Sequence, residues 1–362
     1  MKHALGLIIG IAISVVCFAY SMKGTSVDAL TQGFKNANYL TLPLMLAMLG
    51  GFYWLKAMRW AWLLSPVRQL STGALFRPLL IGFAANNILP AHLGEFVRVF
   101  VVRKQHNIPA STVLSTVVLE RIFDVVAILA LFSIGLMFAR DLPDDYRRNA
   151  LVLGVLCVGV VICVAVYLIW TNWFLKLAET MMSWVLPEAI WSKILEMLRA
   201  GAHGLSALKS GKMVLLITLS SFAQWLLNGL LAYTALRAFH VPVTLTSGLI
   251  ITGVTAIGVT IPSTPGYFGV IQYCFRISMA AQGLKVDPSL VLASSLYYHI
   301  CMYIPVTTLG LYYLHSLGLS VSDLTKAADE GEHASLDAVD SDVSDTGEDA
   351  ATDTVCESTV TP

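Results

Sequence analysis

The strongest constraint on this chain is a series of apolar runs, each about 20 residues or longer. Such a run is enough to cross roughly 30 Å of hydrocarbon as a helix. They are Ala4–Met22, Tyr39–Leu64, Ser111–Phe138, Asn149–Trp170, Met213–Leu236 and Pro288–His315. In a bilayer core every backbone amide must be paired within its own segment, so runs of this kind predict helices. The expected fold class is therefore all-α, a polytopic helical bundle with about six full spans. Composition agrees: 56% of residues are hydrophobic and only 13% charged, about half the charged share of a soluble domain. The first run has weak small-residue cleavage positions at Ala19 and Ser21. It is long for a signal peptide, and it is expected to be retained as a span.

Two further runs are interrupted. Leu75–Leu89 stops at Asn86-Asn87-Ile88-Leu89-Pro90 and resumes at Gly94. Leu245–Ile261 stops at Pro262-Ser263-Thr264-Pro265-Gly266 and resumes at Tyr267. Each reads as two half-helices joined by a polar break, a re-entrant hairpin, near 75–104 and 245–282. Their layouts match. Pro90 precedes Gly94 as Pro262 precedes Gly266, and the spans after them place Glu120 and His299 at the same distance from Pro109 and Pro288. This predicts an inverted repeat. Paired interrupted segments in two halves are the sequence pointer to a transport site near the midplane.

Charge is divided along the chain. Residues 1–322 carry 22 Lys and Arg against 11 acids, whereas residues 323–362 carry one Lys against 12 acids. The first stretch is expected to be the membrane domain. The second has no aromatic residue and too little apolar surface to offset chain entropy, so a disordered acidic tail is expected, with a cytoplasmic partner as its candidate role. With the N-terminus inside, 13 Lys and Arg fall on the cytoplasmic side, Lys56, Arg59 and Arg98 among them, and eight fall outside. That places both termini in the cytoplasm. Lys56 and Arg59 stand beside Trp54, Trp60 and Trp62 and read as an interfacial belt. Residues 171–211 read as an amphipathic surface segment. The six cysteines form no CxxC pair, so no metal is expected.

Ionisable groups inside a span cost at least about 2.5–3.5 kcal/mol each unless paired or hydrated. Glu120, Arg121 and Asp124 lie mid-depth in Ser111–Phe138. Glu120 and Asp124 share a face at i,i+4, and Arg121 can pair with Asp124 at i,i+3. Glu95 and Arg98 stand at i,i+3 on the rising half of the first hairpin. Arginine holds phosphate bidentately, so these five are the candidate headgroup site, against the alternative of a structural ion-pair network. Asn86, Asn87, Pro90 and Gly94 shape one break, and Pro262, Pro265, Gly266 and Gly269 the other. Gln272 and His299 are the polar residues of the second half. His299 reads either as a proton relay or as a satisfied core residue.

No GxSxG, HExxH, P-loop or dinucleotide fingerprint is present, and nothing supports nucleic-acid binding or a cofactor. Asn87-Ile88-Leu89-Pro90-Ala91-His92-Leu93-Gly94-Glu95-Phe96-Val97-Arg98, then Glu120-Arg121-Ile122-Phe123-Asp124, then Pro262-Ser263-Thr264-Pro265-Gly266-Tyr267-Phe268-Gly269 resembles the flippase-like family of the lysylphosphatidylglycerol synthase transmembrane region. The resemblance covers roughly residues 5–316. It implies a multi-pass protein of the bacterial inner membrane that translocates or contacts membrane lipids. The synthases add an aminoacyl-transfer domain after the membrane part. Its lack here implies that the chain makes no lysyl-lipid by itself. Many members carry Glu where Gln272 stands, so any proton coupling through that Glu is not expected here. The reading is a flippase for a phospholipid or polyprenyl-phosphate lipid. The alternatives are a lipid-modifying membrane enzyme and a non-transporting assembly partner.

Overall fold

The computed structural model describes residues 2–89, 93–139, 170–185, 211–261 and 263–320, with isolated positions between 148 and 195 and at 322. Pro90, Pro262, most of the Asn149–Trp170 run and the tail beyond 322 lie outside the described residues, as does most of 186–210. Eleven α-helices and no strand occur among the described residues. They are α1 (Lys2–Ser21), α2 (Val27–Asn36), α3 (Thr41–Leu64), α4 (Thr72–Ile88), α5 (Gly94–His106), α6 (Ala110–Phe138), α7 (Thr171–Val185), α8 (Gly211–Ala238), α9 (Leu245–Gly258), α10 (Val270–Ala281) and α11 (Pro288–Ser316). By length and apolarity, α3, α8 and α11 can each cross a membrane. The 29-residue α6 is as long as α11 but carries the mid-depth charges.

Local chemistry sets the helix ends. Ser26 and Ser71 cap α2 and α4, accepting from the amides of Ala29 and Ala74. Asp287 caps α11 by accepting from Ser289 N–H, with Pro288 at the first helical position. The short helix α2 falls in the stretch between the first two apolar runs, where periodicity gave no signal. α7 exposes Trp173, Leu177, Met181 and Trp184 along one strip, the spacing of an amphipathic helix.

α4 and α5, of 17 and 13 residues, form an antiparallel hairpin, as do α9 and α10, of 14 and 12. At 1.5 Å per residue each arm is about 18–26 Å, short of a bilayer core. The first hairpin closes through glycine. A Cβ on Gly94 would collide with the Gly82 carbonyl oxygen and with Asn86. Asn86 Oδ1 accepts the Gly94 N–H at 2.8 Å, which satisfies an amide freed by the break. The second break turns through Gly266 (φ 75°) and Gly269 (φ 88°), with Pro265–Tyr267 forming one 3₁₀ turn. Here Gln272 Oε1 accepts the Gly269 N–H at 2.7 Å.

Each hairpin packs against the span that follows the other. α4 lies on α11 and α9 lies on α6, while α3 lies on α8. The two largest buried cores among the described residues follow from this packing. One is built on α3, α4 and α6, the other on α8, α10 and α11, and Met302 touches both. α1 packs against the second break. Ser14 Oγ accepts the Thr264 N–H at 3.0 Å, and Gly10 lies against the Ser263 backbone.

A buried charge network beside a two-sided cavity

α6 carries Glu120 and Asp124 one turn apart, and both side chains are fully enclosed. Their counter-ions come from α3. Lys56 Nζ lies 2.6 Å from Glu120 Oε1 and 2.7 Å from Asp124 Oδ2. Arg59 Nη2 lies 2.7 Å from Asp124 Oδ1. α5 adds Arg98, 3.1 Å from Glu120 Oε2 and 2.7 Å from Glu95 Oε2, with its guanidinium over the Trp60 ring. Arg121 closes the set by pairing with Glu95. α8 contributes neutral groups. Trp225 Nε1 donates to Asp124 Oδ1 at 2.9 Å, Gln224 donates to the same oxygen at 3.4 Å, and Arg59 donates to Ser221 Oγ.

The five residues singled out from sequence therefore stand together, but not in one environment. Glu120, Asp124 and Arg98 are buried and engaged with one another or with α3, whereas Arg121 is 42% exposed in its side chain. Arg121 pairs with Glu95 rather than with Asp124 on its own helix. A guanidinium at i−3 points about 60° off the Asp124 face, and Lys56 and Arg59 already fill that face.

Lys56 and Arg59, read from sequence as an interfacial belt, are central to the network and fully buried. Depth was the available signal. Lys56 lies eight residues, about 12 Å, inside the end of α3. That is deep for a headgroup anchor. With Arg98 also buried, the cytoplasmic surplus of 13 against eight falls to ten against eight, and charge counting says little about orientation.

Behind Trp225 is a cavity of about 170 Å³. Its lining comes from both halves: Tyr53, Phe83 and Asn87 from α3 and α4, and Trp225, Asn228, Thr252, Thr255, Gly266, Tyr267, Tyr298, His299 and Tyr303 from α8 onward. Phe83 lies between cavity and network, 5.6 Å from Lys56 Nζ. Both breaks thus reach one chamber, at Asn87 and at Gly266. Asn87 Nδ2 donates to Thr307 Oγ1, and Asn228 Oδ1 accepts from Thr252 and Tyr298.

His299 is fixed from two sides. Gln272 Nε2 donates to its Nδ1 at 3.1 Å, and its Nε2–H donates to the Gly266 carbonyl at 2.8 Å. Gln272 cannot turn its amide over, because Oε1 is held by the Gly269 N–H. The hydrogen-bond pattern therefore assigns a single neutral tautomer. No group of three or more His, Cys, Asp or Glu able to hold a metal occurs among the described residues.

Comparison with known proteins follows the same lines. A UPF0104 membrane protein of Methanocaldococcus jannaschii is 26% identical over 227 residues, which span 62% of this chain and 90% of that protein. The paired breaks, the acid-bearing helix after the first and the all-helical architecture belong to the part of the chain that has been matched to a family. Residues 7–310 match the lysylphosphatidylglycerol synthase transmembrane region, and the chain is a member of that membrane-protein family.

Proposed function

We propose that this protein moves a phosphate-bearing lipid, a phospholipid or a polyprenyl-phosphate type, across the bacterial inner membrane without changing it covalently. The observation that carries this reading is the imbalance within the network. Four cations (Lys56, Arg59, Arg98, Arg121) face three carboxylates (Glu95, Glu120, Asp124), and Arg121 is the cation with substantial exposure. A desolvated cluster with surplus positive charge favours an anionic guest, and a guanidinium matches phosphate geometry. The headgroup phosphate engages Arg121 in competition with Glu95. Lys56, Arg59 and Arg98 keep Glu120 and Asp124 neutralised meanwhile.

The reading also has α4–α5 and α9–α10 as re-entrant hairpins of an inverted repeat. Exchanging α3, α4, α5 and α6 for α8, α9, α10 and α11 maps the observed packing onto itself. α4 on α11 becomes α9 on α6, and α3 on α8 is unchanged. A chamber lined by both breaks at the seam of two such halves is the arrangement that alternating access uses.

The test is Arg121→Ala in proteoliposomes holding fluorescent phosphatidylglycerol. Lipid movement is expected to be lost while the detergent-solubilised variant melts like the parent. Undiminished movement removes this mechanism.

A further inference from the structure

The central cavity, at about 170 Å³, is below the roughly 300–1,000 Å³ of ordinary ligand sites. A lipid that puts its headgroup there must leave its chains outside. On the outer side of the same wall is a groove of about 380 Å³ between α11 and the second break. Leu296, Ile300, Ile304 and Phe268 make it apolar, and Ile300, Ile304 and Phe268 are 51%, 53% and 46% exposed. α11 is of membrane-spanning length and apolarity, so acyl chains bathe this face.

Gly266, His299 and Tyr303 border both spaces. Two of the three are fixed, Gly266 by its backbone and His299 by its two hydrogen bonds. Tyr303 is held less firmly. Its ring covers Gly266 where a Cβ would otherwise stand, and its hydroxyl donates to the Asn87 carbonyl at 3.4 Å, at the long limit for such a bond. It therefore bridges the two breaks and closes the wall, held there by that one long hydrogen bond and an edge contact with the His299 ring at 5.8 Å.

We propose that this groove is a binding site for one acyl chain of a membrane lipid, and that Tyr303 is the door between the groove and the cavity. The physiological meaning rests on the transport reading above, but chain binding is measured separately. The full chain is reconstituted in vesicles doped with phosphatidylglycerol carrying a diazirine in one acyl chain, photolysed and mapped by peptide mass spectrometry. Label is expected on Leu296–Ile304 and Pro265–Phe268 in excess of that on the exposed face of α8 at Leu215 and Leu219. Ile300→Trp, or Ile304→Trp if the first melts early, fills the groove and is expected to bring that label down to the α8 level. Tyr303→Ala is expected to admit label to Thr252–Ala256. Label on the parent no higher than on α8, or unaltered by a well-folded tryptophan variant, overturns the site. No label at Thr252–Ala256 in a well-folded Tyr303→Ala overturns the door. Groove label with no lipid movement in the same vesicles overturns the transport reading and upholds the groove, whereas movement without groove label does the reverse.

Discussion

Lys56 on α3 bridges two carboxylates at once. Its ammonium is 2.6 Å from Glu120 and 2.7 Å from Asp124, and all three side chains are sealed from solvent. Removing one member of a buried ion pair leaves its partner uncompensated, at a cost of about 3–5 kcal/mol. Lys56→Met is therefore expected to lower the melting temperature in detergent sharply. Lys56→Met with Asp124→Leu is expected to recover part of the loss, because the partners are coupled. Additive losses in the double-mutant cycle would contradict the pairing.

Glycine tolerance should differ within one hairpin. Gly94 packs its Cα against the Gly82 carbonyl, so Gly94→Ala overpacks the α4–α5 crossing, at about 1–3 kcal/mol or more. Gly73 on α4 is exposed with nothing near its missing Cβ. Gly73→Ala is expected to be neutral or to stabilise by up to about 1 kcal/mol through helix propensity. Thermal melts of the two variants check the contrast in sign.

His299 is expected to be a latch, not a relay. Its ring joins Gln272 to the Gly266 carbonyl, and His299→Phe should cost about 1–3 kcal/mol by stranding both partners. His299→Gln should recover part of that loss. The pH profile of lipid movement over about pH 5.5–7.5 is expected to be the same for the parent and His299→Gln. A profile that flattens in the variant would restore the proton-relay reading.

The first helix is expected to hold the second break in place. Ser14 accepts from the Thr264 amide and shares a hydrogen bond with its hydroxyl at 2.9 Å. Ser14→Ala should cost about 1 kcal/mol. Gly10→Leu, which drives a side chain into the Ser263 backbone, should cost more and should raise protease cleavage near Thr264. Limited proteolysis reads this directly.

What the sequence made legible is what lies close in sequence. The breaks announce themselves through Pro and Gly, the helices through run length, and the shared face of Glu120 and Asp124 through their i,i+4 spacing. Two partner choices were out of reach. Lys56 and Glu120 are 64 positions apart, and although the depth of Lys56 in its run argues against an interfacial anchor, nothing local names the acid it meets. Arg121 has an acid at i+3 on its own helix, yet pairs with Glu95 on α5, because Asp124 is already taken by α3. Tyr303 gave no signal at all. An aromatic in a span is ordinary, and only the meeting of both breaks at its ring makes it distinctive.

Every ion pair of the network falls within α3, α5 and α6, whereas α8 meets it through Ser221, Gln224 and Trp225 alone. The charges are therefore tied to one another on a single set of helices. Among the described residues, α8 joins the network through uncharged side chains, by hydrogen bonds to charged groups that are each worth about 1.5–3 kcal/mol. In the transport reading proposed above, α8 can shift against that set of helices without unpairing a buried ion.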